Sequence, residues 1–228
     1  MTIVAQDSFN RADSAVSLGS ATVGGSWSIP AIAPGGAAWG IDSNRAYCVS
    51  PPSSYFTSTV DVPKNLAVIG SESGDHTVSA TITLSTTSPN AGLVAKYKDV
   101  NNFISCYLHN TTWQGFDVVG CFAGVWMSLV STSAIIAKGS TVAATLTVGE
   151  VWSLHISGTT VASGTLTAPQ IAALSGPTSG GLMLASGLFY GTSPNDPGDS
   201  RFDDFLFTTP DPVAGEPERW AAGFAFDH

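Results

Sequence analysis

Charge is what this sequence has least of. Lys, Arg, Asp and Glu make up 11% of its 228 residues, and only 8 basic side chains stand against 17 acidic ones. The net charge of -9, with no cluster of Lys or Arg anywhere, repels phosphate backbones and anionic lipid, so neither nucleic acid nor a membrane surface is an expected partner. No apolar run reaches the roughly 18 residues that a membrane-spanning helix needs. The opening MTIVAQDSF lacks both the basic leader and the long apolar stretch of a secretory signal, so synthesis in a cytoplasm without export by that route is expected. Cysteine is scarce as well. Cys48, Cys106 and Cys121 are odd in number and show no C-x-x-C spacing, which argues against a zinc site or a disulfide framework. They read as small buried apolar residues, with a Cys106–Cys121 bridge between neighbouring strands as the alternative.

What the chain does have is alternation. It is 43% hydrophobic, enough to offset chain entropy, and its polar positions are largely Ser and Thr. Ala91 to His109 reads as a β-hairpin around Asp99-Val100-Asn101-Asn102. Leu93, Ala95, Ile104, Cys106 and Leu108 fall on a buried face, and Lys96, Lys98, Ser105, Tyr107 and His109 on the opposite, polar face. His76 to Leu84 is the clearest run, with Val78, Ala80, Ile82 and Leu84 on one side and Thr77, Ser79, Thr81 and Thr83 on the other. A sheet with one dry face needs a second layer to cover it.

The rest of the chain repeats the theme. Short strands are expected at Ile3 to Phe9, Trp27 to Ile32, Trp39 to Asp42, Arg45 to Ser50, Tyr55 to Val62 and Leu66 to Ile69. Trp113 to Val119 and Phe122 to Val130 pair around Gly120. Val142 to Val148, Trp152 to Ile156, Val161 to Leu166, Gly180 to Ser186 and Arg201 to Phe207 follow. Ala168 to Leu174 is the only expected helix, opened by proline and stopped by Gly176-Pro177. Successive strands spaced by turn residues predict an all-β fold, a two-sheet antiparallel β-sandwich over residues 1–208. Residues 209–228 form an extended tail in which Trp220, Phe224 and Phe226 are costly to leave in water. They either fold back or dock into a neighbouring chain.

The order of DSFNRADS, GLVAKYKDVNNF, LTVGEVWSLHISGTTV and RFDDFLF resembles the concanavalin A-like, laminin-G-like jelly roll over most of Asp7 to Phe207. The D-x-F-x-R-A-D opening followed by a Gly-rich, Trp-containing loop looks like modules in tail or other virion proteins of actinobacterial phages. That resemblance implies a non-enzymatic virion component, a minor tail or surface-decorating protein, whose partners are other virion proteins, copies of itself and host-envelope carbohydrate. It implies adjacent first and last strands, and a structural calcium ion (Ca2+) held through the position matching Asp203, placed on the same strand face as Phe205 and Phe207. A turn cap, or pairing of Asp203 with Arg11 or Arg201, is the alternative. A free-standing bacterial carbohydrate-binding or lectin module is the second reading, and a glycoside hydrolase or lyase the third.

The chemistry follows the same lines. Enzymes of this fold usually carry E-x-D-x-E on one strand, and no such spacing occurs; Glu72 and Asp75, Glu150, and Glu216 and Glu218 sit in separate turns or the tail. No catalytic residue is therefore expected. The histidines His76, His109, His155 and His228 are scattered without ligand spacing. Sugar recognition combines an aromatic plate with groups that bond hydroxyls, and Lys96, Tyr107, His109 and Trp113 are the expected set beside the hairpin. For Tyr107 and Trp113 a core or subunit contact is the alternative. Trp27, Trp39, Trp126 and Trp152 are read as core.

Overall fold

The computed structural model describes residues 1–30, 38–50, 65–86, 90–109, 115–132, 136–185 and 199–211. Within them run β1 (Thr2–Asp7), β2 (Ala38–Asp42), β3 (Arg45–Ser50), β4 (Asn65–Glu72), β5 (His76–Thr83), β6 (Asn90–Asp99) and β7 (Asn102–His109). Then follow β8 (Gly115–Phe122), β9 (Val125–Thr132), β10 (Thr141–Val148), β11 (Val151–Ile156), β12 (Thr159–Thr165), helix α1 (Ala168–Ala173), β13 (Thr178–Ala185) and β14 (Arg201–Thr209). The protein is a two-sheet antiparallel β-sandwich of jelly-roll type. One sheet runs β12-β11-β10-β5-β14-β3-β2, and the other β4-β13-β6-β7-β8-β9. β1 lies against β14, which pairs with β5 along its other side, so the first and last strands are neighbours as expected.

The alternation in the sequence builds the space between the sheets. Val78, Ala80, Ile82 and Leu84 from β5 and the residue beyond it meet Leu93, Ala95, Ile104, Cys106 and Leu108 from the β6–β7 hairpin in one buried cluster. The hairpin register is the expected one, with Leu93 opposite Cys106 and Ala95 opposite Ile104. Trp39 and Trp152 are core and Trp27 is half-buried against it, while Trp126 is half-buried against a second cluster on the outer face of the β4–β9 sheet. One turn and one strand differ from expectation. β8 continues through Gly120, and the chain reverses at Ala123-Gly124, whose φ angles of 51° and 78° suit a tight turn that follows the strand twist. Trp27 and Ser28 do not start a strand; Ser28 makes an isolated bridge to Val68. Tyr55 to Val62 lies outside the described residues.

The outer face of the second sheet is the main departure. It was expected to be polar, yet Leu66, Val68, Val94, Phe103, Tyr107, Val119, Cys121 and Met183 form a second buried apolar cluster there, and Ser105 is buried too. Cys106 and Cys121 consequently lie in different clusters on opposite faces of one sheet, which rules out a bridge between them. No disulfide joins the cysteines, and burial pushes the Cys106 thiol up to about 12 and the Cys121 thiol up to about 11.

The DSFNRAD segment acts as a structural clamp. The Asp7 carboxylate is fully buried and accepts bonds from the Phe9 amide at 2.8 Å, Trp27 Nε1 at 2.7 Å and both Arg11 terminal nitrogens at 2.7 and 2.8 Å. Arg11 Nε also donates to the Leu18 carbonyl at 2.8 Å. A buried carboxylate satisfied on both oxygens fixes the loop after β1 against Trp27, which packs edge-on to Phe205.

Candidate functional site

The β5–β10 register creates a pocket at one end of the sandwich. It sets His76 opposite Val148, so the turn before β5 and the turn after β10 end side by side. Asp75 and Glu150, far apart in sequence, thus line one pocket of about 540 Å³, together with Ser73, Lys96 and Ser175. Helix α1 and the residues around it supply a floor of Leu166, Ile171 and Leu174. The helix forms where expected. Its capping box joins Thr167 to Gln170, whose side chain accepts from the Thr167 amide at 2.7 Å, with proline in the first turn.

Lys96 reaches this pocket through a β-bulge. Its φ of 51° and the break in pairing between Ala95 and Asp99 interrupt the alternation. A strict period of two would have sent Lys96 to the outer face; instead it lines the end of the sandwich, and Tyr97 packs on the outer apolar cluster. Burial lowers the Lys96 ammonium from its ordinary range, and the nearby Asp75 charge opposes that shift. The Asp75 carboxylate rests against Gly149, where a β-carbon would come within 2.6 Å of it. Asp75 and Glu150 are both exposed.

The expected sugar-binding set does not assemble as written. Tyr107 is only 3% exposed and belongs to the outer apolar cluster, so it offers no open plate. It pairs with Gly92, roughly 13 Å along β6 from Lys96 at strand spacing. His109 pairs with Gly115 at the end of β7, and its side chain lies outside what is described. Trp113, Trp220, Phe224 and Phe226 also lie outside the described residues. Missed by the sequence reading were Asp75 and Glu150 as neighbours, and Leu166 and Leu174 as a floor. The alternation of β5 and β10 signalled two strands, but nothing in it said that they pair.

Asp203 is displaced by a second bulge. Pairing with β5 breaks between Asp203 and Leu206, and Asp204 has a φ of 49°. Phe202, Phe205 and Phe207 therefore all point inward, and Asp203 takes the face opposite Phe205 and Phe207, correcting the expected placement. Its Oδ1 accepts from the Asp204 amide at 2.9 Å, a local turn cap, and burial raises its carboxyl above the ordinary range. Calcium requires six to eight oxygens. Among the described residues no three His, Cys, Asp or Glu side chains come together, so the described side chains build no calcium cage at Asp203. Arg11 and Arg201 pair instead with Asp7 and Asp42.

The site and fold define a β-sandwich carrying an end pocket with a mixed-charge rim and an aliphatic floor. The sequence matches no protein-family model and no curated protein. Solved structures do match. A carbohydrate binding module, CBM66, from Bacillus subtilis is 12% identical with a TM-score of 0.55, over 80% of this chain and 95% of that one. The GH43 protein BlXynB from Bacillus licheniformis is 15% identical with a TM-score of 0.61, over 89% of this chain but 38% of its own. A beta-1,3-glucanase from Mycobacterium marinum is 9% identical with a TM-score of 0.57, over 91% and 99%. At these identities the likeness is one of fold, and none of the three is named as a virion protein.

Proposed function

We propose that this chain is a non-enzymatic carbohydrate-binding module that seats its ligand in the Lys96 pocket. The observation carrying this reading is the composition of that pocket: one ammonium, two carboxylates and serines around an aliphatic floor. Sugar hydroxyls donate and accept at once, so a rim of both charge signs suits them, and the floor covers the C–H face. The name of the Bacillus subtilis neighbour agrees with it. Asp75 and Glu150 sharing one pocket favour a hydrolase or lyase as the second reading. Against it, both carboxylates are exposed, and an acid that protonates a leaving oxygen at neutral pH needs apolar enclosure.

A glycan array followed by calorimetry tests the proposal. Binding should weaken roughly tenfold in Lys96→Ala and in Glu150→Gln, the usual effect of removing a charged hydrogen-bonding partner. Release of reducing ends by the purified protein, abolished in Glu150→Gln, would establish the hydrolase instead.

Within this reading the module is set in a phage virion, as a minor tail or surface-decorating protein that engages host-envelope glycans, with a free-standing bacterial module as the alternative. The DSFNRADS opening and the order of the later segments support that setting. Its partners would be other virion proteins or further copies of the chain, docked through Trp220, Phe224 and Phe226. Truncation after Thr209 should remove the protein from particles while sugar binding persists; unchanged incorporation would sink the virion role of the tail.

A further inference from the structure

A second, shallower cleft of about 350 Å³ lies on the outer side of the same strand end, lined by Ser26, Ser28, Tyr97, Lys98 and Ser179. Its walls are held in place. Ser28 and Val68 exchange backbone bonds of 2.9 and 2.8 Å, which pin the 26–30 loop to β4, and Ser179 Oγ donates to the Gly70 carbonyl at 2.7 Å. The Tyr97 ring is backed by Phe103, with centroids 5.9 Å apart. A half-buried aromatic, an exposed cation and hydroxyls on a fixed wall form a surface suited to one sugar unit.

The bulge joins this cleft to the Lys96 pocket. Three consecutive residues serve both: Lys96 lines the pocket, Tyr97 and Lys98 line the cleft. Lys98 Nζ then reaches across to the Ala173 carbonyl at 3.4 Å, on the helix that walls the pocket. We propose that the two are successive subsites for one linear, hydroxyl-rich oligosaccharide, which enters the Lys96 pocket with one unit and crosses the Lys96–Lys98 ridge to place another against Tyr97. This rests on the carbohydrate-binding reading above and extends it to the ligand's length. Burial pushes the Tyr97 phenol up to about 12.

Calorimetry with two pairs of probes tests the extension: glucose against the β-1,3-linked glucose tetramer, and xylose against the β-1,4-linked xylose tetramer. One tetramer should bind at least roughly tenfold tighter than its monosaccharide, as stacking and a hydrogen bond at the second subsite predict. Lys98→Ala and Tyr97→Leu, the latter keeping an apolar contact with Phe103, should each erase that gain, and Tyr97→Leu should leave monosaccharide binding unchanged. Lys96→Ala should weaken both. If neither tetramer binds tighter than its monosaccharide, or if the gain survives both cleft variants, the second subsite is overturned and the Lys96 pocket is left standing. No binding to either pair or to any sugar on an array overturns the carbohydrate reading and this extension with it.

Discussion

At the scale of single residues, two buried polar side chains have measurable consequences. Asp7 is wholly enclosed and paired with Arg11, so Asp7→Asn leaves a guanidinium facing a neutral amide. Chemical denaturation should show a loss on the order of 3 kcal/mol, the range for breaking a buried ion pair. His76 is buried against Phe207, with Nε2 shared between the Glu72 carbonyl and Thr178 Oγ1 and with Nδ1 unpartnered. Burial, with help from the Lys96 charge, lowers its pKa from 6.5 to about 4, so the folded state holds it neutral. A depressed histidine stabilises fully above its unfolded pKa and loses that contribution as pH falls from about 6.5 towards 4. Between pH 7 and pH 5 the protein should lose about 1–2 kcal/mol more than His76→Gln does, read from urea midpoints at the two pH values. Neither role was legible beforehand. DSFNRAD stood out as a motif, but the depth of Asp7 depends on Trp27 and Phe205 arriving from elsewhere. Tyr107 looked like an open plate because period two says which face a residue takes and not whether that face is covered.

At the scale of elements, strands were easy to read and their irregularities were not. Alternation located β5, β10 and the β6–β7 hairpin, and proline with Gly176 bounded α1. Bulges at Lys96 and Asp204 change the parity of everything beyond them while leaving ordinary residues in place, so no composition signal marks them. Both expected site residues on these strands moved as a result. Lys96 turned from the outer face into the pocket, and Asp203 turned away from Phe205 and Phe207. The β8–β9 turn shows the same ambiguity, since Gly120 and Gly124 are both candidate turn residues and only Gly124 carries a positive φ, 78°. Gly124→Val should cost about 1 kcal/mol or slightly more from that backbone strain. Gly120 sits in mid-strand with Phe122 stacked over it, so any effect there would come from crowding the ring.

At the scale of the whole molecule, apolar contact between the two sheets runs through the described interior. The fully buried Asp7 carboxylate beside that interior is matched by Arg11. Chelator tests the calcium proposed at Asp203: a fall of several degrees in the melting temperature that added Ca2+ reverses would support it, and an unchanged melting temperature would argue against it. The two-layer architecture was visible from sequence because each clear strand had one dry side. The second apolar face was not, since Val94, Phe103 and Val119 occupy the positions that a solvated sheet would give to polar residues. The pairing of Thr2 with Thr209 carries one more implication. During synthesis the amino-terminal strand emerges long before its hydrogen-bonding mate has been translated, and β5 waits for the same late segment. A nascent chain of this topology carries exposed strand edges until β14 has been made, so its yield in a cell depends on holding off association until then.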